Sequence, residues 1–144
     1  MSSQTVSSLA TFSVNTLAIS LEVLGGVLVF APQQTSAAVG LPISSESKIY
    51  VQMSGGRLLT LGWLLLKAQS ELVKSLALRN ELGIDSARRD LRRGLHLSLA
   101  WDTIDLACLI LGFLKSEVGL KTFAVYGGGA TCGLSLAGLA LRAV

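Results

Sequence analysis

Four ionisable residues fall inside runs of apolar residues, where charges are rare. They are Glu22, Arg57, Asp102 and Asp105. An Asp or Arg at the centre of a bilayer costs about 2.5 to 3.5 kcal/mol on insertion scales, so such residues usually have a function. Because three carboxyl groups accompany one guanidinium, at least one carboxyl is expected to stay protonated at neutral pH. A neutral carboxylic acid beside a carboxylate fixed by Arg57 is suited to acid–base catalysis.

The spacing of these charges predicts that they meet. Glu22, Arg57 and Asp105 each lie eight positions from the end of their apolar run, measured towards the same side of the membrane. At a rise of about 1.5 Å per residue, all three would lie about 12 Å below one membrane face. Asp102 and Asp105, three residues apart, would project from one helix face into a shared cavity. The alternative is that the charges only hold the helices together.

Other polar and aromatic residues are predicted to contact a substrate in the same cavity. They share a helix face with one of the charges, or lie next to one or at a similar depth, and they are Tyr50, Asn15, Thr60, Tyr126 and Trp101. Together with the four charges they form the predicted site. A single histidine and two separated cysteines, Cys108 and Cys132, offer no ligand set for a metal or haem. We therefore expect no metal and no cofactor.

The elements that would position this site are membrane-spanning helices. The chain of 144 residues is 51% hydrophobic and has a mean hydropathy of +0.61, which is too apolar for an ordinary soluble domain. A helical span needs about 20 apolar residues. Four runs predict spans at about 12–31, 49–67, 94–113 and 122–141. The expected fold is an all-α integral membrane four-helix bundle in a single domain, residues 1–144.

The ends of the second helix and the charged connector follow from local signals. Ser45 and Glu46 suit a helix start, and helical periodicity continues beyond the lipid to a predicted stop at Gly83. Seven of the twelve basic residues lie between Lys67 and Arg93, at and within the connector 68–93, which predicts that this connector and both termini face the cytosol. The membrane is expected to be that of the endoplasmic reticulum. Confinement of the positive charge to this connector argues against nucleic acid as a partner.

The two ends of the chain carry further signals. Residues 1–13 contain no Lys or Arg, so the first apolar run is expected to be a retained span rather than a signal peptide. In the last run, Gly129, Gly133 and Ala137 recur every four residues. This small-residue pattern predicts close helix contact and would allow a homodimer through the last span.

Several motifs resemble a known group of proteins. They are Gly26-(x)5-Pro32, Gly40-Leu41-Pro42, Gly56-Arg57-Leu58-Leu59-Thr60-Leu61-Gly62 and Trp101-Asp102-Thr103-Ile104-Asp105. The chain resembles small four-span fungal membrane proteins of unassigned function, near the DoxX-like superfamily. In that group an acidic residue often follows the Arg, whereas this chain has Leu58. Proteins of similar architecture in fungal natural-product pathways include anthrone oxygenases and epoxide-opening terpene cyclases.

These observations predict a membrane enzyme that acts on a lipophilic polyketide or terpenoid. Asp102 or Asp105 would donate a proton, Glu22 would accept one or stabilise positive charge, and Arg57 would orient a carbonyl or carboxylate. The expected reaction is an isomerisation or cyclisation. One alternative is a cofactor-free oxygenase of the anthrone-oxygenase type. The other is a proton-coupled carrier of small solutes or a membrane scaffold.

Overall fold

The chain forms a bundle of helices. The computed structural model describes residues 8–38, 40 and 43–143, and these form five helices and no strand. The bounds are α1 (Ser8–Phe30), α2 (Pro32–Ala38), α3 (Ser45–Ala77), α4 (Glu81–Leu114) and α5 (Leu120–Ala143). The predicted all-α class is confirmed. The residues before Ser8, together with Leu41 and Pro42 of one motif above, lie outside the described residues.

The four long helices form a closed antiparallel ring. α1 contacts α3 and α5, and α4 contacts the same two helices. The short helix α2 begins at Pro32, a residue suited to the first turn of a helix, and packs against α1 and α3. We call the end of the bundle with the α3–α4 turn the turn end, and the end with the α4–α5 turn the open end.

A tight turn joins α3 to α4, and it ends α3 at Ala77 instead of the predicted Gly83. Arg79 adopts a left-handed conformation with φ 54°, and the Asn80 N–H donates to the Ser75 carbonyl at 2.9 Å. This is the hydrogen-bond pattern of a Schellman motif, which terminates helices. The Asn80 side chain then accepts from the Gly83 N–H at 3.2 Å and caps α4. Gly83 therefore lies in the first turn of α4.

The tightly packed core lies at the turn end. The five largest apolar side chains that are less than 2% exposed lie there: Val14, Leu65, Leu72, Leu91 and Leu95. They come from the first half of α1, the second half of α3 and the first half of α4. The most apolar stretches of α4 and α5 are, by contrast, mostly exposed. An exposed surface of this kind is expected where lipid, rather than water, covers the protein.

Three helices are long and apolar enough to cross a membrane, by length and composition. Their candidate spans lie within Thr11–Phe30, Glu81–Leu114 and Leu120–Arg142. This finding indicates an integral membrane protein. Of the four predicted spans, three thus coincide with helices that are long and apolar enough to cross a membrane. α3 is long enough but falls below the hydropathy of the other three, because Gln52 and Arg57 lower the mean hydropathy of its apolar stretch.

The closest helix contact joins α1 to α3. A Cβ atom built at Gly25 would lie 2.7 Å from the Gly55 carbonyl oxygen, and one built at Gly55 would lie 2.7 Å from the Gly25 carbonyl oxygen. Further along, a Cβ at Gly62 would lie 2.9 Å from the Ala18 carbonyl oxygen. Real Cβ atoms do not approach backbone so closely, so glycine is required where the two helices touch.

This contact predicts the effect of adding one methyl group. Gly25→Ala or Gly55→Ala should lower the free energy of unfolding by about 1 to 3 kcal/mol, because the methyl group forces α1 and α3 apart. Unfolding in mixed micelles, followed by circular dichroism, measures the change. Gly26→Ala and Gly56→Ala are matched controls, since nothing lies within 4 Å of a Cβ at either position. Equal stability of the two pairs of variants would contradict the close contact.

Candidate functional site

An ion pair between Arg57 and Asp105 connects α3 to α4. Arg57 Nη2 lies 3.4 Å from Asp105 Oδ2. Arg57 Cζ also lies 4.0 Å from the centroid of the Trp101 ring, within the range of a cation–π interaction. Trp101 and Asp105 are one helical turn apart on α4, so both reach the neighbouring helix from one face. The guanidinium is thereby held by an aromatic ring and a carboxylate together.

A groove of about 260 Å³ lies beside this pair, between α3 and α4. It is lined by Arg57, Thr60, Leu61, Leu64, Leu97 and Trp101. Leu64 and Leu97 are exposed, so the groove opens on the outer surface of the bundle. Arg57 Nε is buried and has no hydrogen-bond partner among the described residues. The groove therefore combines apolar walls with the guanidinium side chain of Arg57.

Asp102 lies one turn before Asp105 but meets a different helix. Its Oδ2 accepts a hydrogen bond from Ser98 Oγ at 3.5 Å. A Cβ atom built at Gly133 of α5 would lie 2.6 Å from the same oxygen. Gly133 thus leaves the space that the Asp102 carboxylate occupies. The two carboxylates, which were predicted to share one cavity, instead face α5 and α3 respectively.

Glu22 lies beside Gly62 of α3 and not beside Arg57. A Cβ atom at Gly62 would be 2.9 Å from Glu22 Cγ, and among the described residues no ion pair joins Glu22 to Arg57. The equal depths were predicted by counting from the ends of the apolar runs. Leu28, however, packs against Gly55, so the two run ends differ in height by about one helical turn. The predicted layer therefore forms for Arg57 and Asp105 only.

The predicted substrate-binding residues divide into two groups. Thr60 and Trp101 line the groove, and Thr60 Oγ1 donates to the Gly56 carbonyl at 3.0 Å. Tyr50 lies about two turns from Arg57 towards the open end, and it is 73% exposed. Tyr126 belongs to α5, which makes no direct contact with α3 in the described ranges. Neither tyrosine is therefore part of the groove.

Asn15 lines a second cavity, between α1 and α3 near the turn end. A residue that sequence reasoning missed, Gln69, is 5% exposed in the wall of the same cavity. Neither its Oε1 nor its Nε2 has a hydrogen-bond partner among the residues that the structure describes. The available signal was a pair of amide side chains, Asn15 and Gln69, at the ends of two apolar runs that were predicted to be antiparallel.

Within the described ranges, no group of three or more His, Cys, Asp or Glu residues is placed to hold a metal ion. In comparisons with known proteins, no family model, curated protein or solved structure matches the chain. The resemblance to small four-span membrane proteins therefore stays a prediction. The function must be argued from the geometry of the two cavities and the charges beside them.

The Arg57–Asp105 contact predicts thermodynamic coupling. Arg57→Gln and Asp105→Asn should each destabilise the fold, and the double variant should be less destabilised than the sum. We expect a coupling energy of about 0.5 to 1.5 kcal/mol, because removing one partner leaves the other charge alone at the groove. A double-mutant cycle from unfolding in mixed micelles measures it.

The control for this cycle is the pair Arg93 and Asp90, which lie 3.6 Å apart on α4 and are 77% and 57% exposed. Because both side chains of that pair are largely exposed, their coupling energy should be no more than about 0.5 kcal/mol. Additive effects of Arg57→Gln and Asp105→Asn would contradict the ion pair.

Proposed function

We propose that this protein binds a lipophilic small molecule in the groove between α3 and α4 and isomerises or cyclises it by acid–base catalysis. The observation that carries the proposal is the Arg57–Asp105 pair at the edge of a groove with apolar walls. The guanidinium can donate hydrogen bonds to a carbonyl or carboxylate oxygen of the ligand. The carboxylate beside it can accept a proton from a neighbouring carbon.

The proposal includes α3 as a fourth span. α3 runs antiparallel to α1 and touches it along Gly25, Gly55 and Gly62, so its apolar stretch lies at the same height as the candidate span of α1. It also exposes large apolar side chains on its outer face: Ile49, Met53, Trp63 and Leu64. A helix at this height beside a membrane-crossing helix crosses the membrane too. A substrate dissolved in the bilayer would then reach the groove directly.

The chemistry uses two groups: Arg57, which lines the groove, and Asp105, which lies beside Arg57 in the ion pair. Arg57 binds the carbonyl oxygen of the substrate and stabilises negative charge on it. Asp105 removes a proton from the adjacent carbon, so that one C–H bond breaks and an enolate forms. The same carboxyl returns the proton to another carbon of the conjugated system, and a new C–H bond forms. The double bond has then moved with no net change in protons or electrons, and no cofactor is involved.

In this scheme Trp101 and Thr60 form part of the groove wall that contacts the substrate. The Trp101 ring keeps the guanidinium in place on one side, and the leucines of the groove accommodate the apolar body of the substrate. Asp102 lies against Gly133 of α5, and Glu22 lies against Gly62 of α3. In this scheme neither carboxyl group touches the substrate. Asp102 supports the α4–α5 contact near the reacting pair.

A scaffold that dimerises is the second candidate function. A Cβ atom placed at Gly128, Gly129 or Gly138 of α5 would have nothing within 4 Å among the described residues, and Cys132 beside them is exposed. This open surface of small residues would let a helix of a second copy approach closely. Gly133, part of the predicted dimer pattern, is instead occupied by the contact with Asp102.

The enzyme hypothesis predicts the effect of changing Asp105. Asp105→Asn should lower product formation by roughly 10²- to 10⁴-fold, because an amide cannot accept the proton, while the fold is retained. Lipophilic metabolites extracted from cells without the protein should contain a precursor that wild-type protein consumes. Arg57→Gln should resemble Asp105→Asn, whereas the control Asp90→Asn on the exposed part of the same helix should be fully active.

Three outcomes separate the alternatives. Consumption of the precursor with uptake of oxygen would favour the cofactor-free oxygenase over the isomerase. Metabolites that are identical with and without the protein would favour the scaffold. Unchanged turnover by Asp105→Asn would remove the proposed base.

A further inference from the structure

The second cavity is the larger of the two described, and five of the seven residues that line it are polar. It measures about 410 Å³ and lies between α1 and α3, near the turn end. Its polar lining consists of Thr11 and Asn15 from α1 and of Gln69, Ser70 and Lys74 from α3. Leu66 and Val73 complete it with apolar surface. The volume lies in the range of small-molecule pockets, and nothing in the proposed catalysis uses this cavity.

Gln69 is the residue that gives the cavity a chemical specificity. It is 5% exposed, and its two amide donors and its carbonyl acceptor find no partner within the described part of the chain. A buried amide without hydrogen bonds is strongly unfavourable, so such groups are nearly always satisfied. Both amide atoms are inaccessible in the present rotamer, so a ligand would satisfy Gln69 once the side chain turns towards the cavity, and it must bring both acceptor oxygens and an O–H or N–H donor.

Lys74 determines the sign of the charge that a ligand of this cavity should carry. Its side chain is exposed at the cavity wall and can attract an anion from solution or from the membrane surface. Ser70 and Thr11 add hydroxyl groups that can donate to further oxygens. A phosphate group next to a hydroxyl or ammonium group fits this set of donors and acceptors, because it supplies the anion, the acceptors and the donor together.

The height of the cavity points to a lipid as the source of that phosphate. Thr11 is the first residue of the candidate span of α1, and the apolar stretch of α3 ends near Leu66, just before Lys67 and Lys74. The cavity therefore lies where both helices leave the hydrocarbon, which is the level of phospholipid headgroups. Phe12 and Val73 are 65% and 53% exposed and provide apolar surface for the acyl chains.

We propose that the cavity between α1 and α3 binds the headgroup of one anionic phospholipid, with Gln69 and Lys74 as its main polar contacts. The headgroup lies between two helices whose register is fixed by the glycine contacts further along. The proposal is independent of the Arg57 groove, since the two cavities share no residue. It can fail or succeed without any change in the evidence for catalysis.

Native mass spectrometry of the full chain, delipidated in detergent and then titrated with phosphatidylglycerol, tests the proposal. Wild-type protein should bind one molecule of phosphatidylglycerol. Gln69→Leu and Lys74→Gln should each weaken binding by about tenfold or more, the effect expected on losing a hydrogen bond to a charged group. Lys67→Gln is the matched control, because Lys67 lies over the Trp63 ring on the same helix and outside the cavity.

Each remaining outcome would overturn the proposal. Equally strong binding by Gln69→Leu would mean that the lipid makes no use of the amide. Binding of soluble glycerol phosphate as tight as that of phosphatidylglycerol would mean that the ligand is a free phosphate ester. Since Lys74 is exposed, weaker binding by Lys74→Gln cannot be attributed to misfolding.

Discussion

The glycine contact between α1 and α3 fixes the relative heights of the residues on these two helices. Gly25 and Gly55 have no side chain between them, so the two backbones meet and cannot slide without a clash. With that register fixed, Glu22 is opposite Gly62 and Asn15 is near Gln69. The same register raises α3 to the height of a candidate membrane span, and so determines where Arg57 lies.

The distribution of polar groups follows from this arrangement. The interior of the bundle at the turn end is mostly apolar, with Leu65 and Leu95 fully buried beside the small hydroxyl side chains of Ser13 and Ser98. The polar groups occupy the seams between neighbouring helices: Arg57 with Asp105 between α3 and α4, Asp102 between α4 and α5, and Gln69 between α1 and α3. Seams of this kind are accessible to molecules in the bilayer, which a closed core would not be.

The sequence was sufficient for the helical class, for the start of α3 at Ser45 and for the meeting of Arg57 with Asp105. It was insufficient for Glu22, because depth was counted from the ends of the apolar runs while the actual height depends on a glycine contact. The end of α3 was also misplaced, since it is set by the left-handed Arg79, a conformation that favours glycine. The sequence could not predict that Gln69 is buried without a hydrogen-bond partner among the described residues. That property depends on how the helices pack.

Magnitudes favour the proposed binding role of the Arg57–Asp105 pair over a purely structural one. Each charge costs about 2.5 to 3.5 kcal/mol to place in a membrane helix, whereas polar contacts between membrane helices contribute about 0.6 kcal/mol on average. The contact is a single one of 3.4 Å, with side chains 32% and 53% exposed. One Arg57 donor is also without a partner among the described residues. A structural clamp would gain most from a bidentate, fully enclosed pair. The pair observed is partly exposed and makes a single long contact, so a ligand with an acceptor oxygen would add to its hydrogen bonding, as the proposed binding role requires.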